Sequence, residues 1–174
     1  DEQGLCVDEL PGDVDSVLLS PDHSFPLGVV LSPERRRALV AWATAQDALI
    51  VEHDYDAHFR YDRPPASALQ ALAPEHFAYV GSASALLAPT LRLGWSVLPE
   101  RLVVPVARAM AESVFAVPRL EQFALAELIE RGALDRHLRR ARAAYKRRRE
   151  IACAALPAVG APVGLYVRIP VEDE

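Results

Sequence analysis

Short apolar runs alternate with longer mixed segments along the first half of the chain, a pattern typical of an α/β fold. The runs Ser16–Ser20 and Ala48–Glu52 predict strands that are buried on both faces. Between them, Ser32–Glu34 is typical of a helix start, because it supplies a capping hydroxyl, a proline and an acid in the first turn. This helix is expected to end near Gln46. Its predicted buried side chains are Leu39, Val40, Trp42 and Ala43.

Two further strands are predicted at Phe77–Gly81 and Leu93–Leu98. The link between them is too short for a crossover helix, so the fourth strand is expected to run antiparallel to the third. The predicted later elements are helices at Glu100–Glu112, Pro118–Arg131 and Leu134–Ala155, a last strand at Val163–Ile169 and an acidic tail at the chain end. The predicted fold is therefore α/β, with a mostly parallel sheet and flanking helices.

The composition is that of an ordinary globular domain, with 174 residues of which half are hydrophobic and a quarter are charged. The net charge of −5 disfavours contact with nucleic acid, so no nucleic acid is expected as a partner of this chain alone. Every apolar run is too short to span a membrane, and the acidic start Asp1–Gln3 is unlike a signal peptide. Cys6 and Cys153 lie far apart in the sequence, which favours reduced thiols and a cytoplasmic protein.

Several phrases of the sequence, in a fixed order, resemble those of one protein family. They are Ser20–Gly28, Leu31–Ala43, Val51–Tyr61, Tyr79–Trp95 and Leu134–Arg140. Together they resemble the aminotransferase-like domain of the MocR/GabR group of bacterial transcription regulators, which has the fold-type I fold of pyridoxal-phosphate (PLP) aminotransferases. The resemblance implies that residues 1–133 form part of the large domain. Residues 134–174 would form a long linking helix and the start of a small domain.

The resemblance also implies that this chain corresponds to the middle portion of a longer domain. The family has further strands and a phosphate-binding helix start before this region, and a substrate-binding arginine after it. No phrase of this sequence matches them. A sheet shortened in this way exposes an apolar edge, so we expect a homodimer or a complementary polypeptide as partner.

The resemblance assigns the family's Schiff-base lysine to position 85 and the carboxylate that protonates the pyridine nitrogen to position 53. This chain has Ala85 and His53 there. A methyl group forms no imine and carries no proton, and a neutral imidazole offers the ring nitrogen no negative charge. Lys146, in the predicted long helix, is the one lysine of the sequence. Aminotransferase activity is therefore not expected, and the chain is interpreted as a catalytically degenerate pseudo-enzyme.

Some binding residues of the family are retained. By the resemblance, Arg92, Ser82 and Ser84 would contact the cofactor phosphate, and Tyr55 would contact the ring hydroxyl. An arginine with two hydroxyl groups suits an anion. No covalent cofactor is expected, and PLP is expected only as a non-covalent ligand. A small anionic or phosphorylated ligand is the predicted occupant.

Simpler structural roles stay open for the same residues. Arg92 would instead form an ion pair with Asp54 or Glu52, because buried arginines are usually paired. Ser82 and Ser84 would only cap a turn. The basic run from Arg136 to Arg149 in the long helix invites a nucleic-acid interpretation. Because no aromatic residues are interleaved and the rest of the chain is acidic, the run is instead interpreted as a solvated face, or as one that meets acids of a partner.

Two catalytic alternatives also stay open. In the first, the old cofactor pocket works without a Schiff base, and His53, Asp54 and Tyr55 act as acid–base groups; otherwise Tyr55 is a packed aromatic residue. In the second, the chain is one piece of a split PLP-dependent aminotransferase, and the amine comes from elsewhere. His23 and His58 add imidazoles near these acids, but in no spacing typical of a metal motif, so no metal site is predicted.

Overall fold

A computed structural model describes residues 1–113 and 117–171, and it places four strands in one sheet. The strands are β1 (Ser16–Leu19), β2 (Leu49–Asp54), β3 (Phe77–Ser82) and β4 (Gly94–Val97). Their order in the sheet follows the chain, β1-β2-β3-β4. The first three strands are parallel and β4 is antiparallel to β3, which confirms the predicted mixed α/β sheet.

Five α-helices accompany the sheet in the described part of the chain. They are α1 (Pro33–Gln46), α2 (Ala83–Leu86), α3 (Glu100–Glu112), α4 (Arg119–Glu130) and α5 (Ala133–Ala155). The predicted start of α1 is confirmed, since the Ser32 hydroxyl accepts a hydrogen bond from the Arg35 backbone N–H at 3.2 Å. Gly132 separates α4 from α5 with a φ of 61°, in the left-handed region that glycine adopts without strain. No described helix is long and apolar enough to cross a membrane.

The core lies between α1 and one face of the sheet. Leu39, Ile50, Leu69 and Phe77 are fully buried there. Of the side chains predicted to be buried on α1, Leu39 and Ala43 are buried, whereas Val40 and Trp42 are half-buried. Arg36 is buried instead, because its guanidinium donates to the Asp22 carboxylate at 2.7 Å and to the Ser67 carbonyl at 3.0 Å. A paired arginine can therefore take a place that the apolar pattern did not predict.

The prediction that β1 is buried on both faces is wrong. Exposed and half-buried residues alternate along it, and 72% of Leu18 is accessible. The reason is that β1 is an edge strand with α1 over only one face. All four residues of β4 are exposed as well, and α3, α4 and α5 contain no buried residue. Much apolar surface of the described residues thus faces outward.

The predicted strand at Val163–Ile169 is also wrong. This region makes only isolated bridges, from Arg60 to Val163 and from Val159 to Arg168. The physical reason is the guanidinium of Arg149 on α5. It occupies backbone carbonyl groups that would otherwise accept hydrogen bonds from a neighbouring strand. It donates to the carbonyls of Ala161, Val163 and Tyr166 at 2.7, 3.4 and 2.8 Å. Residues 156–171 are called the C-terminal segment below. The acidic residues 172–174 lie outside the described part, and the division of the chain after residue 133 stays a prediction.

A buried carboxylate joins β2 to the loop before β3. Glu52 is 1% exposed, and its two oxygens accept hydrogen bonds from the backbone N–H groups of Leu69 and Gln70 at 3.0 and 3.1 Å. Burial raises the pKa of this carboxyl above its ordinary value, although the two N–H groups oppose the effect. Glu52 thus caps a loop that would otherwise leave two backbone donors without acceptors.

We expect Glu52→Gln to flatten the pH dependence of stability above pH 4.5, the ordinary pKa of this group. Because the folded pKa is raised, the folded state binds the proton more tightly than the unfolded state does. The unmodified chain should therefore lose stability as the pH rises from 4.5 through the raised pKa, and the variant should lack this component. Urea unfolding over about pH 4 to 8 measures both slopes.

Glu34→Gln, an exposed change on α1, is the matched control and should leave the slope unaltered. Equal slopes for Glu52→Gln and the unmodified chain would contradict the assignment.

Candidate functional site

A cavity of about 980 Å³ opens where β1 and β2 end. Ligands of parallel sheets bind at this end of the strands, because the loops that follow them diverge there. Its lining includes Leu18, Leu19, Phe25, His53, Tyr55 and Tyr166. We call it the main cavity. Its surface is largely apolar, with a few polar groups from the ends of the strands and the C-terminal segment.

Two phenol groups meet at the edge of the main cavity. The Tyr55 hydroxyl donates to the His23 carbonyl at 2.7 Å and lies 3.2 Å from the Tyr166 hydroxyl. Burial raises the pKa of the Tyr55 phenol above its ordinary value. Tyr55 is therefore a neutral, packed phenol with a satisfied hydroxyl, as the simpler interpretation had it.

A buried histidine–aspartate pair packs against the ring of Tyr166. The Nδ1 atom of His23 lies 2.8 Å from Oδ2 of Asp56, and both side chains are 2% exposed. The same Oδ2 accepts a hydrogen bond from the Leu165 N–H at 3.2 Å, and the His23 ring stacks on Tyr166 with centroids 4.2 Å apart. Gly164 has no room for a Cβ, which would collide with this pair. The pair thus fixes the position of the C-terminal segment over the site.

His53 is the polar side chain of β2 that lines the main cavity. It is half-buried, and its ring lies 5.5 Å from the Tyr55 ring, centroid to centroid. It forms no hydrogen bond or ion pair with any described residue. Its ring nitrogens are therefore available to a molecule in the cavity.

Asp54 does not line the main cavity with His53 and Tyr55. Its Oδ1 accepts a hydrogen bond from the Ala57 N–H at 3.0 Å, and its Oδ2 accepts one from the Tyr79 hydroxyl at 2.8 Å. Asp54 lines a separate cavity of about 340 Å³. Neighbouring residues of a strand point to opposite faces, so only His53 and Tyr55 of the three predicted catalytic residues line the main cavity. All three border a crevice that is too narrow for a water molecule.

The predicted phosphate-binding residues do not line the main cavity. The Ser82 hydroxyl accepts a hydrogen bond from the Ser84 N–H at 3.2 Å and so caps the short helix α2. Arg92 is exposed and pairs with no described residue. The ion pair of Arg92 with Asp54 or Glu52 is absent, because both carboxylates are held by other donors.

Ala85 lies on α2, the turn after β3, and is half-buried. The turn is anchored from outside, since Nε2 of His137 on α5 lies 3.0 Å from the Leu86 carbonyl. Lys146 is exposed on α5 and has no contact with this turn among the described residues. The backbone turn at the position that the resemblance gives to the lysine is thus held firmly in place. The side chain at that position, Ala85, is only a methyl group.

The residues present do not fit PLP as the resemblance has it. His53 replaces the carboxylate, Ala85 replaces the amine, and the proton of Tyr55 is committed to the His23 carbonyl. The cavity offers an imidazole donor instead of a carboxylate acceptor. Covalent PLP chemistry therefore has no support from these side chains.

The remaining histidines do not form a metal site among the described residues. No group of three His, Cys, Asp or Glu side chains suited to a metal ion occurs among the described residues. His23 is engaged with Asp56, and His58 is exposed.

The roles of Asp56 and Tyr166 were not predicted from the sequence. Asp56 stood in a matched phrase next to Tyr55 and could have been singled out, whereas only the folding back of the C-terminal segment brings Tyr166 to the site.

Comparison with known proteins gives the same fold and two classes of relative. No family model matches the sequence. The HTH-type pyridoxine biosynthesis transcriptional regulator PdxR of Corynebacterium glutamicum is 39% identical over 155 residues, covering 87% of this chain and 33% of that protein. The probable rhizopine catabolism regulatory protein MocR of Rhizobium meliloti is 33% identical over 136 residues, covering 78% and 28%. Kynurenine aminotransferase of Pyrococcus horikoshii matches in structure with a TM-score of 0.87 at 25% identity, over 94% of this chain and 45% of that one.

These comparisons confirm the resemblance. The relatives are MocR-type regulators and aminotransferases, and the structural neighbours are fold-type I PLP aminotransferases. The chain has the structure of a partial aminotransferase-like domain. It spans about a third of the length of the regulators that it matches, and less than half of the aminotransferase.

The comparisons also correct one expectation. The chain was expected to have no nucleic-acid partner, but several relatives are HTH-type transcriptional regulators, a class of protein that binds DNA. The expectation rested on the net charge of the whole chain. That sum is a weak guide, because contact with DNA depends on how charge is distributed rather than on its total.

We expect Gly164→Ala to destabilise the fold by about 2–4 kcal/mol, because a methyl group would collide with His23 and Asp56 and because the φ of 75° disfavours alanine. Gly12→Ala is the matched control. A Cβ there meets nothing within 4 Å, so the change should cost less than about 0.5 kcal/mol. Urea unfolding of both variants measures the difference, and equal stabilities would show that the C-terminal segment does not pack on this pair.

Proposed function

We propose that this chain, a partial aminotransferase-like domain related to the MocR-type regulators, is catalytically degenerate and serves a transcription regulator as a binding module. The observation that carries the proposal is Ala85. The turn that holds it is capped by Ser82 and anchored by His137, so the frame is retained while the amine is missing. His53 is a second, independent loss, because it removes the charge that would make a pyridine ring an electron acceptor.

The relatives support the regulatory part of the proposal. Three of them are named as HTH-type transcriptional regulators, and one of these is named as a regulator of pyridoxine biosynthesis. A regulator needs a site that binds a ligand, but it does not need turnover. We propose that this protein acts on DNA as such a regulator, and that its aminotransferase-like part responds to a ligand that is held without a covalent bond.

A partner chain is the other part of the proposal. The edge strand β1 leaves backbone groups and Leu18 uncovered, although parallel sheets normally have both faces and edges protected. On α4, Leu120 and Phe123 are 81% and 72% exposed. We propose that a second polypeptide surface, from another copy or from a complementary segment, covers the β1 edge.

A repurposed enzyme has less support. Acid–base catalysis by His53, Asp54 and Tyr55 needs three groups within reach of one substrate. The carboxylate of Asp54 is held on the opposite face by Tyr79, and the phenol of Tyr55 is neutral and engaged. A split aminotransferase would need an amine from another chain in place of Ala85.

We expect no covalent pyridoxyl adduct at residue 85 when the chain is incubated with PLP and reduced with borohydride, because Ala85 has no amine. Ala85→Lys should gain an adduct there, yet remain without amino transfer, because His53 supplies no negative charge. Peptide mass spectrometry locates the adduct, and a keto-acid assay measures transfer.

Label on Lys146 in both proteins marks surface reaction and is the internal control. Amino transfer by the unmodified chain on its own would overturn the proposal.

We expect the chain to self-associate or to bind a complementary segment through the β1 edge, and Leu18→Glu to weaken that association, because a charge would be buried in the contact. Leu72→Glu is the matched control, since Leu72 is 59% exposed in the loop before β3. Sedimentation velocity over a concentration series measures both. A monomer at all concentrations that also binds no complementary segment would refute the partner proposal.

A further inference from the structure

The hydrogen bonds between the two phenols at the aromatic end of the main cavity leave the imidazole of His53 as a free donor. Each phenol has a single proton, and that of Tyr55 goes to the His23 carbonyl. The contact of 3.2 Å between the phenols must therefore use the proton of Tyr166, with the Tyr55 oxygen as acceptor. Neither phenol has a proton left for a ligand. His53 lines the same cavity, and its imidazole forms no hydrogen bond or ion pair with any described residue.

The chemistry of this free donor selects its ligand. A histidine presents at least one N–H in both of its protonation states, whereas a carboxylate only accepts. A carboxylate at position 53 would attract a protonated ring nitrogen or another cation. An imidazole in the same place pairs with an acceptor, and best with an anion, because a charged partner strengthens the hydrogen bond.

The walls of the cavity select a flat apolar body. Phe25 is 72% exposed and meets Tyr166 edge to face, with centroids 5.3 Å apart. Leu18 and Leu27 add aliphatic surface, 72% and 46% exposed. Aromatic rings pack favourably in stacked and edge-to-face contacts on such walls.

Two carboxylates also line the cavity, and both belong to the N-terminal segment. Asp1 is neutralised by Arg35, which donates to it at 2.9 Å. Glu9 is exposed. Neither forms a hydrogen bond or an ion pair with His53 among the described residues. Two further acids lie behind the aromatic end, Asp54 and Asp56. Both already have donors within the protein, since Asp54 accepts from the Ala57 N–H and the Tyr79 hydroxyl and Asp56 is paired with His23.

We propose that the main cavity binds a planar aromatic carboxylate without a covalent bond, with the carboxylate on His53 and the ring against Phe25 and the apolar wall. The inference rests on the proposed function, because it names the ligand class to which a non-catalytic module would respond. The resemblance implies an acid at position 53 that would bind a protonated nitrogen, whereas His53 would bind an anion. The ligand is recognised as an anion by a donor, and not as a cation by an acid.

Two probes of equal shape and opposite charge test the inference, 2-naphthoate and 2-naphthamidine. Their dissociation constants for the purified chain can be measured by fluorescence titration. We expect naphthoate to bind about tenfold or more tightly than naphthamidine, the effect of one hydrogen bond to a charged group. His53→Asp should reverse the preference. His53→Gln, which keeps an N–H donor, should retain part of it, and His53→Leu should abolish it while both probes still bind through their rings.

His58→Leu is the matched control, because His58 is exposed and does not line the main cavity. It should leave the preference unaltered. Thermal unfolding of each variant reports whether the fold is kept, and His53→Gln serves if His53→Asp does not fold. Equal affinity for the two probes, or a preference that survives in His53→Leu, would overturn the inference.

The failure of this inference can be told apart from failure of the proposed function. If naphthoate does not bind selectively and PLP still gives no adduct at residue 85, the ligand class is wrong and the degenerate module stands. If the unmodified chain transfers amino groups, the proposed function is wrong, and the inference that rests on it is withdrawn as well.

Discussion

The alternation of side chains along β2 is the constraint on which this site depends. Successive residues of a strand point to opposite faces of the sheet, so Glu52 and Asp54 share one face and His53 has the other. The two acids are held there by backbone N–H groups and by Tyr79. The side chain of His53 therefore projects to the opposite face from both carboxylates, although His53 lies between them in the sequence. What looks like an acid–base cluster in the sequence is an imidazole on one side of the sheet and a structural pair of acids on the other.

Hydrogen bonds from polar side chains hold the irregular segments in place, as the backbone hydrogen bonds of the sheet hold the strands. Glu52 holds the loop before β3, Asp56 holds His23 and the C-terminal segment, and Arg149 binds three carbonyls of that segment. Leaving one such buried group without a partner costs about 1–3 kcal/mol. The site thus keeps its shape because loops are tied to the buried side chains of Glu52 and Asp56 and to the half-buried side chain of Arg149. These groups are engaged and are not free for chemistry.

The residues that shape the cavity differ from those that the aminotransferase reaction needs. The reactive residues can therefore be lost while the cavity keeps its shape. The cap by Ser82, the anchor by His137 and the packing of Gly164 on His23 maintain the turn and the cavity. None of them needs a lysine at position 85 or an acid at position 53. A relative of the aminotransferases can therefore keep a shaped cavity after the amine is gone, which is what a protein that binds a ligand without converting it requires.

The sequence by itself determined the parallel order of strands, the start of α1 and the two substitutions, because these follow from local periodicity, capping and residue identity. Only the tertiary structure decided that β1 is an open edge, that Arg149 replaces a strand ladder in the C-terminal segment, and that Tyr166 meets Tyr55. It also decided that Ser82 caps a helix and that Arg92 pairs with no acid among residues 1–113 and 117–171. These features join residues that are distant in the chain, or depend on which donors take the available acceptors. No local pattern encodes them, because each is the outcome of a competition that is resolved only when the whole chain has folded.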